Sequence, residues 1–323
     1  MKCINKKMNL LVLLCTLIFL LTGCIRTPEE VVVDYELSTY DKSLFLAELN
    51  FQDLCVTLGD VNETGFPNVN TIYGGGLFDV TNQKVLFGQS IFQQMYPASL
   101  TKVMTALVAS QYGNLDDFVT VSPNAVNVSP DSSLCYLASG DVLTLRDLIN
   151  GLMLQSGNDA AVAIAEHIAG SETAFVELMN KKAQELMATG THYINSHGLH
   201  DENHYTTPYD MYLIFNAYLK NAELAEIAGK STYSLSITQA DQSQREVTWT
   251  TTSLYKKGEI PFPSNYQILG NKTGTTLEAG NCLLTFAQNS INNGQYIVIT
   301  LGAEAKNIGY ETTTGLLESV DYE

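Results

Sequence analysis

Tyr96-Pro97-Ala98-Ser99-Leu100-Thr101-Lys102-Val103-Met104-Thr105-Ala106-Leu107 changes character at Ser99. Pro97 stands just ahead, and Leu100, Val103, Met104 and Leu107 then recur at i, i+3, i+4 and i+7, which predicts a helix with one buried face. Ser99 and Lys102 are three residues apart in that helix, so they share a face offset from the apolar stripe. A serine in a first turn also has an unpaired backbone N–H beside it, useful to a developing oxyanion. Alone the pattern is weak, because Ser-x-x-Lys turns up by chance roughly once in a chain of this size. A surface serine and lysine on an ordinary core helix would look the same.

Two further clusters follow in order. Ser156-Gly157-Asn158 lies between an amphipathic run at Leu145, Leu148, Ile149 and Leu152 and an almost wholly aliphatic run from Ala160 to Ala169. The second run predicts a buried central helix, with the polar cluster at the bend before it. Turn and capping chemistry would also select Ser, Gly and Asn there. Lys272-Thr273-Gly274-Thr275-Thr276 precedes Leu283 to Ala287, a polar turn at Asn289 to Gly294, and the β-branched run Tyr296 to Leu301. That order predicts antiparallel neighbours near a sheet edge, where Gly274 would let another backbone approach closely. A solvent-facing edge lysine is the plain alternative. Upstream, Leu77 to Val80 and Val85 to Phe87 flank Thr81 to Lys84, which predicts a hairpin turn there.

The N-terminus reads as an export segment. Lys2, Lys6 and Lys7 precede an apolar run from Leu10 to Leu21, too short for a comfortable bilayer span. Leu21-Thr22-Gly23-Cys24 resembles the lipobox of bacterial lipoproteins, which implies cleavage after residue 23, lipidation of Cys24 and attachment to a membrane. Residues 24–70, broken by Pro28, Gly65 and Pro67, read as lipidated N-terminus and tether, and 71–323 as the catalytic domain. Roughly 300 residues then remain, enough for a large core. The net charge of −17 makes nucleic acid an unfit partner and reads as solubility rather than as a substrate preference. Beyond Cys24, only Cys55, Cys135 and Cys282 remain, with no spacing that suits a disulfide framework or zinc.

Several coincident segments carry a family resemblance. Tyr96 to Ala106 resembles the nucleophile segment of the D-alanyl-D-alanine carboxypeptidases among the low-molecular-mass penicillin-binding proteins. Gly151-Leu152-Met153-Leu154-Gln155-Ser156-Gly157-Asn158-Asp159-Ala160-Ala161 resembles their second segment. Asn195-Ser196-His197-Gly198-Leu199, and Lys272 to Thr276 followed by Ala279-Gly280, resemble two more. The likeness runs from about Tyr73 to the C-terminus and implies an α+β, transpeptidase-like fold: an antiparallel sheet drawn from both ends of the domain, flanked by helices, with a mostly helical second lobe inserted and the site between.

The resemblance also implies roles. Ser99 would attack the carbonyl between the last two D-Ala residues of a peptidoglycan stem peptide, and β-lactam antibiotics would acylate the same serine. Lys102 would serve as its base, neutral because it is buried beside the charge of Lys272; lowering a lysine from about 10.4 to near 7 takes roughly 4 to 5 kcal/mol. Ser156 would relay a proton, Asn158 would hold the substrate amide, and Lys272, Thr273 and Thr275 would face the terminal carboxylate. The backbone N–H groups of Ser99 and Thr275 would form the oxyanion hole. No cofactor or metal is expected: His197, His200 and His204 cluster, but as loop residues rather than a helical His-x-x-x-His with a glutamate. A basic residue that some relatives place between the second and third motifs has no clear match; Thr251-Thr252-Ser253-Leu254 occupies that region. A serine β-lactamase and a non-catalytic wall-peptide or penicillin-binding lipoprotein are the alternatives. Gly157 and the lack of an identifiable deacylating glutamate argue against the first, and the intact Ser99, Lys102, Ser156 and Lys272 against the second.

Overall fold

The computed structural model describes residues 53–62, 70–129 and 132–320, so the export segment, Cys24 and most of the expected tether lie outside the described residues. The main sheet is built from β1 (Val61–Asn62), β2 (Gly74–Asp79), β3 (Lys84–Gln89), β8 (Tyr266–Thr276), β9 (Gly280–Asn289) and β10 (Gln295–Ala303), in the order β1-β3-β2-β10-β9-β8. Every neighbouring pair is antiparallel. β2 and β3 form the expected hairpin, and Leu77 of β2 pairs with Val298 of β10, which joins the two ends of the chain into one sheet.

Residues 53–62, which include the short apolar stretch Leu54 to Leu58, pack on the body of the domain. The Cys55 backbone N–H donates to Tyr212 Oη at 2.8 Å, its carbonyl accepts from Tyr209 Oη at 2.8 Å, and Val61 pairs with Gly88. Two buried or half-buried tyrosines with hydroxyls to satisfy therefore hold the strand-like segment that sequence reading placed before the domain.

Between β3 and β8 the chain forms a 3-10 turn (Ala98–Leu100), α1 (Thr101–Tyr112), α2 (Leu145–Leu154), α3 (Asn158–Ala169), α4 (Glu172–Glu185), α5 (Pro208–Leu219), α6 (Ala222–Gly229) and the short α7 (Leu254–Lys257). A small second sheet, ordered β4-β5-β6-β7, comprises β4 (Phe118–Thr120), β5 (Val142–Thr144), β6 (Thr232–Thr238) and β7 (Gln244–Thr250). α8 (Lys306–Val320) follows β10 and packs on the sheet face opposite α1 and α5, where Tyr255 of α7 meets its Tyr310. β10 shows why both faces are covered. Ile297, Ile299 and Leu301 join the core that includes Leu100, Val103 and Phe215, whereas Tyr296 and Val298 alternate to the other side against Leu316 and Leu317. Because its strands are buried on both sides, the centre of the sheet reads as continuous apolar sequence.

α1 departs from expectation in an instructive way. Its stripe predicts one buried face, yet every residue from Thr101 to Ala109 is buried, Lys102 and Thr105 included. The helix runs through the middle of the molecule between sheet and helical lobe. A lysine and two threonines are thereby carried into a region where each polar atom must find a partner.

Candidate active site

The nucleophile turn is built under strain. Ala98 has φ +47°, a left-handed conformation that a residue with a Cβ adopts at about 1–2 kcal/mol. The carbonyl of Ala98 accepts a hydrogen bond from Thr101 Oγ1 at 2.8 Å, and Thr101 Oγ1 is itself 2.8 Å from His204 Nε2. Thr101 has only one hydroxyl proton and spends it on Ala98, so His204 Nε2 must donate. His204 Nδ1 is then free to accept from the Ile194 N–H at 3.2 Å, and the ring is neutral, as its burial also requires by pushing its pKa down to about 3. Gly198, at φ +90°, lies so close behind the turn that a Cβ there would fall 1.9 Å from the Ala98 carbonyl oxygen. The loop from 194 to 204, noticed in the sequence for its histidines, is thus the buttress of the turn that presents Ser99. Among the described residues no group of three His, Cys, Asp or Glu is placed to hold a metal ion.

Ser99 Oγ and Lys102 Nζ lie 3.0 Å apart, one helical turn joining them. Lys102 Nζ also donates to Asn158 Oδ1 at 2.8 Å and to the His197 carbonyl at 2.6 Å. Both of those oxygens are acceptors only. A neutral amine has two N–H groups and one lone pair, so with both protons committed its lone pair faces the Ser99 hydroxyl. The neutral form is the favoured one: burial holds Lys102 well below its ordinary value, and the nearby charge of Lys272 adds to the effect.

Lys272 reaches the same place from the opposite wall. It projects from β8, only 1 % exposed, and donates to Ser156 Oγ at 2.9 Å and to the Thr273 carbonyl at 2.8 Å. Burial lowers it to about 7. Among the described residues neither Lys102 nor Lys272 has a carboxylate within ion-pair distance.

Ser156, at φ +60°, and Gly157 make the bend into α3, as the sequence suggests. Capping is not what the cluster does, since no side chain caps α3. Ser156 Oγ is turned to Lys272 and Asn158 Oδ1 to Lys102. Asp159, next in line, fixes the neighbouring loop: its carboxylate accepts from the N–H groups of Cys135 at 2.9 Å, Leu137 at 3.1 Å and Ala160 at 2.9 Å. The Asn158 N–H donates to the Ser133 carbonyl at 2.8 Å. Tyr136, pinned between Cys135 and Leu137 at φ +59°, stands 73 % exposed beside this bend.

β8 is an edge strand, and Gly274 is the point at which it meets the nucleophile turn. A Cβ on Gly274 would sit 2.9 Å from the Ser99 backbone nitrogen and 3.1 Å from the Pro97 carbonyl oxygen. Direct hydrogen bonds therefore tie Ser99, Lys102 and Asn158 into one group and Ser156 with Lys272 into a second, the two meeting at the bend that carries both Ser156 and Asn158, with Gly274 in contact with the Ser99 turn. Thr273 and Thr275 are set differently. They line a small cleft on the α8 side of β8 with Asn281, Tyr310 and Lys306. Thr273 Oγ1 is 2.6 Å from Thr252 Oγ1, and Thr275 Oγ1 donates to the Gly274 carbonyl at 2.8 Å. Lys306 was not found by sequence reading, which looked for a basic residue only before Lys272. The position just beyond the last predicted strand is the one signal that could have marked it.

A family model described as D-alanyl-D-alanine carboxypeptidase matches residues 76–305. The D-alanyl-D-alanine carboxypeptidase DacC of Escherichia coli is 32 % identical over 250 residues, covering 75 % of this chain and 59 % of the relative. DacF of Bacillus subtilis is 33 % identical over 240 residues, covering 73 % and 58 %. The chain thus spans about six-tenths of the length of these curated relatives. Among solved structures, a Streptomyces DD-transpeptidase superposes with a TM-score of 0.73 at 26 % identity, covering 80 % of this chain and 99 % of that one. With the family model matching most of its length over the segment that carries all three motifs, the chain belongs to the D-alanyl-D-alanine carboxypeptidase family.

Proposed function

We propose that the protein is a serine D,D-carboxypeptidase that removes the terminal D-Ala from peptidoglycan stem peptides. The observation that carries this reading is the fully buried Lys102 amine, 3.0 Å from Ser99 Oγ and held there by Asn158 Oδ1 and the His197 carbonyl. Ser99 Oγ bonds to the penultimate D-Ala carbonyl carbon as its proton passes to Lys102 Nζ. The backbone N–H groups of Ser99 and Thr275 hold the oxyanion, and Asn158 the substrate amide. As the C–N bond breaks, Ser156 relays the proton from Lys102 to the leaving amine of D-Ala, so no charge is lost. Water then attacks the ester, Lys102 takes one of its protons, and that proton returns to Ser99 Oγ as the shortened stem departs. Lys272, Thr273 and Thr275 face the terminal carboxylate. Lys306, in the cleft with both threonines, supplies the cation that sequence reading lacked.

The test is to incubate the purified protein with a pentapeptide ending in D-Ala-D-Ala, and separately with labelled penicillin. Stoichiometric D-Ala release, a long-lived penicilloyl adduct and inertness of Ser99→Ala are expected. Rapid penicillin turnover without D-Ala release would point to a β-lactamase, and a bound but unreactive peptide to a non-catalytic wall-binding protein. The same reading puts the protein outside the cytoplasm on a lipid at Cys24, supported by the lipobox-like Leu21-Thr22-Gly23-Cys24. Cys24→Ala should then move it from the membrane fraction to the soluble one.

A further inference from the structure

A second concavity adjoins the nucleophile segment. It is a groove of about 160 Å³ lined by Tyr73, Gln93, Gln94, Tyr96, Glu278 and Gly302 among others. Tyr73 is 65 % exposed, although its ring lies directly on Gly302, where a Cβ would fall 2.3 Å from Cδ2. One ring face is therefore packed on backbone. The two glutamine amides and the Glu278 carboxylate form no hydrogen bond or ion pair with the described residues. An aromatic platform, two amides and a carboxylate, without any cation, make a poor receptor for an acidic group. They suit a neutral ligand rich in hydroxyl and amide groups with one apolar ring face, which is the chemistry of an N-acetylated amino sugar.

The placement agrees with that chemistry. If the terminal carboxylate sits at Thr273 and Lys306 and the scissile carbonyl at Ser99 beside Gly274, the rest of the stem peptide leaves in the opposite direction, past Thr275 and Thr276 toward Glu278. Four extended residues, the length of a stem from scissile carbonyl to sugar, span roughly 13 Å. Gly274 to Thr276 provide the first part of that path along the edge strand, and the turn into β9 places Glu278 in the groove. Tyr96 and Met95 connect the groove floor directly to Pro97 and Ser99.

We propose that this groove is a saccharide subsite that holds the N-acetylated amino sugar to which the stem peptide is attached. The inference rests on the carboxypeptidase reading, and the experiment separates the two. The kcat/KM for D-Ala release is compared between the free pentapeptide and the same pentapeptide on its disaccharide, for the full chain and for Tyr73→Ala and Gln94→Ala. In the unaltered protein the disaccharide substrate should be favoured by about tenfold, the scale of one stacked ring with two hydrogen bonds. In each variant the ratio should fall toward one. Equal rates on both substrates in the unaltered protein, or a variant loss shared equally by both, would overturn the subsite and assign the groove to the peptide or to nothing. Cleavage of neither substrate would defeat the carboxypeptidase reading instead. In that event, titration of Ser99→Ala with the peptide-free disaccharide, followed by tyrosine fluorescence and compared with the Ser99→Ala, Tyr73→Ala double variant, still decides the subsite: saturable binding lost with Tyr73 supports it, and no binding rejects it.

Discussion

At the scale of single residues the site depends on two buried amines with different charges. In the proposed mechanism Lys102 is the base, a role open only to the neutral amine, so kcat/KM should rise as pH passes upward through its lowered pKa. In the same mechanism Lys272 attracts the carboxylate, which it does only as a cation, and burial sets it at about 7, so kcat/KM should fall as pH rises through that value. The free enzyme should accordingly show a bell-shaped profile whose falling limb lies near pH 7. An arginine keeps its charge throughout the accessible range. Lys272→Arg should therefore move the falling limb more than two pH units to the alkaline side, measured by penicillin acylation across pH 5 to 10, even if the rate at the optimum drops. A limb that stays near pH 7 in this variant would assign it to another group. The rising limb belongs to Lys102, so it should persist in the variant with its position set by the new cation.

At the scale of elements the site is where three pieces of secondary structure end or begin: the turn before α1, the bend before α3 and the edge strand β8. Asp159 on α3 ties the bend before that helix to the loop carrying Tyr136 through the N–H groups of Cys135 and Leu137, and accepts a third from Ala160 of its own helix. Asp159→Ala leaves three buried or half-buried donors without an acceptor, which costs on the order of 2–4 kcal/mol. Tm should fall by about 5–10 °C in a thermal melt, the shift such a loss produces in a domain of this size. An unchanged Tm would show that water replaces the carboxylate. Much of this was legible in sequence. The hairpin at Thr81 to Lys84, the bend at Ser156 and the edge strand at Lys272 each carry local signals: a change of periodicity, a polar break, a glycine between threonines. The small second sheet went unread although Thr232 to Thr238 alternates hydroxyl residues with Tyr233, Leu235 and Ile237; what no local signal gives is its partner, since β5 meets β6 at the single pair Val142 with Thr238. Lys306, and the bond between His204 and Thr101, escaped for a related reason. Each depends on residues 30 or more positions apart, and only the closed fold brings them together.

At the scale of the whole molecule the same buried cations set how stability responds to pH. Lys272 titrates at about 7 in the folded protein and Lys256, whose Nζ donates to the Ala228 carbonyl at the end of α6, at about 8; the ordinary value for both is 10.5. Between those values the unfolded chain binds more protons than the folded one, so stability rises with pH, by up to about 1.4 kcal/mol per unit for each lysine. Thiols act in the opposite sense at the upper end. Burial pushes Cys55 and Cys282 from 9.0 to about 11 and raises the half-buried Tyr209 and the buried Tyr310 above 10.0, so above pH 9 the unfolded chain loses these protons first, which offsets the lysines and then reverses the rise. The maximum should fall near pH 9, above the range in which most proteins are steadiest. Calorimetric Tm is expected to climb from pH 7 to 9 and to drop again by pH 10.5. Lys272→Met removes one of the titrating amines, so its climb should be shallower while its Tm at pH 7 matches or exceeds that of the unaltered protein. A Tm that falls steadily from pH 7 to 9 in both would mean that these lysines keep their protons in the folded state, and a fully charged Lys272 would then carry the carboxylate-binding role across the whole alkaline range.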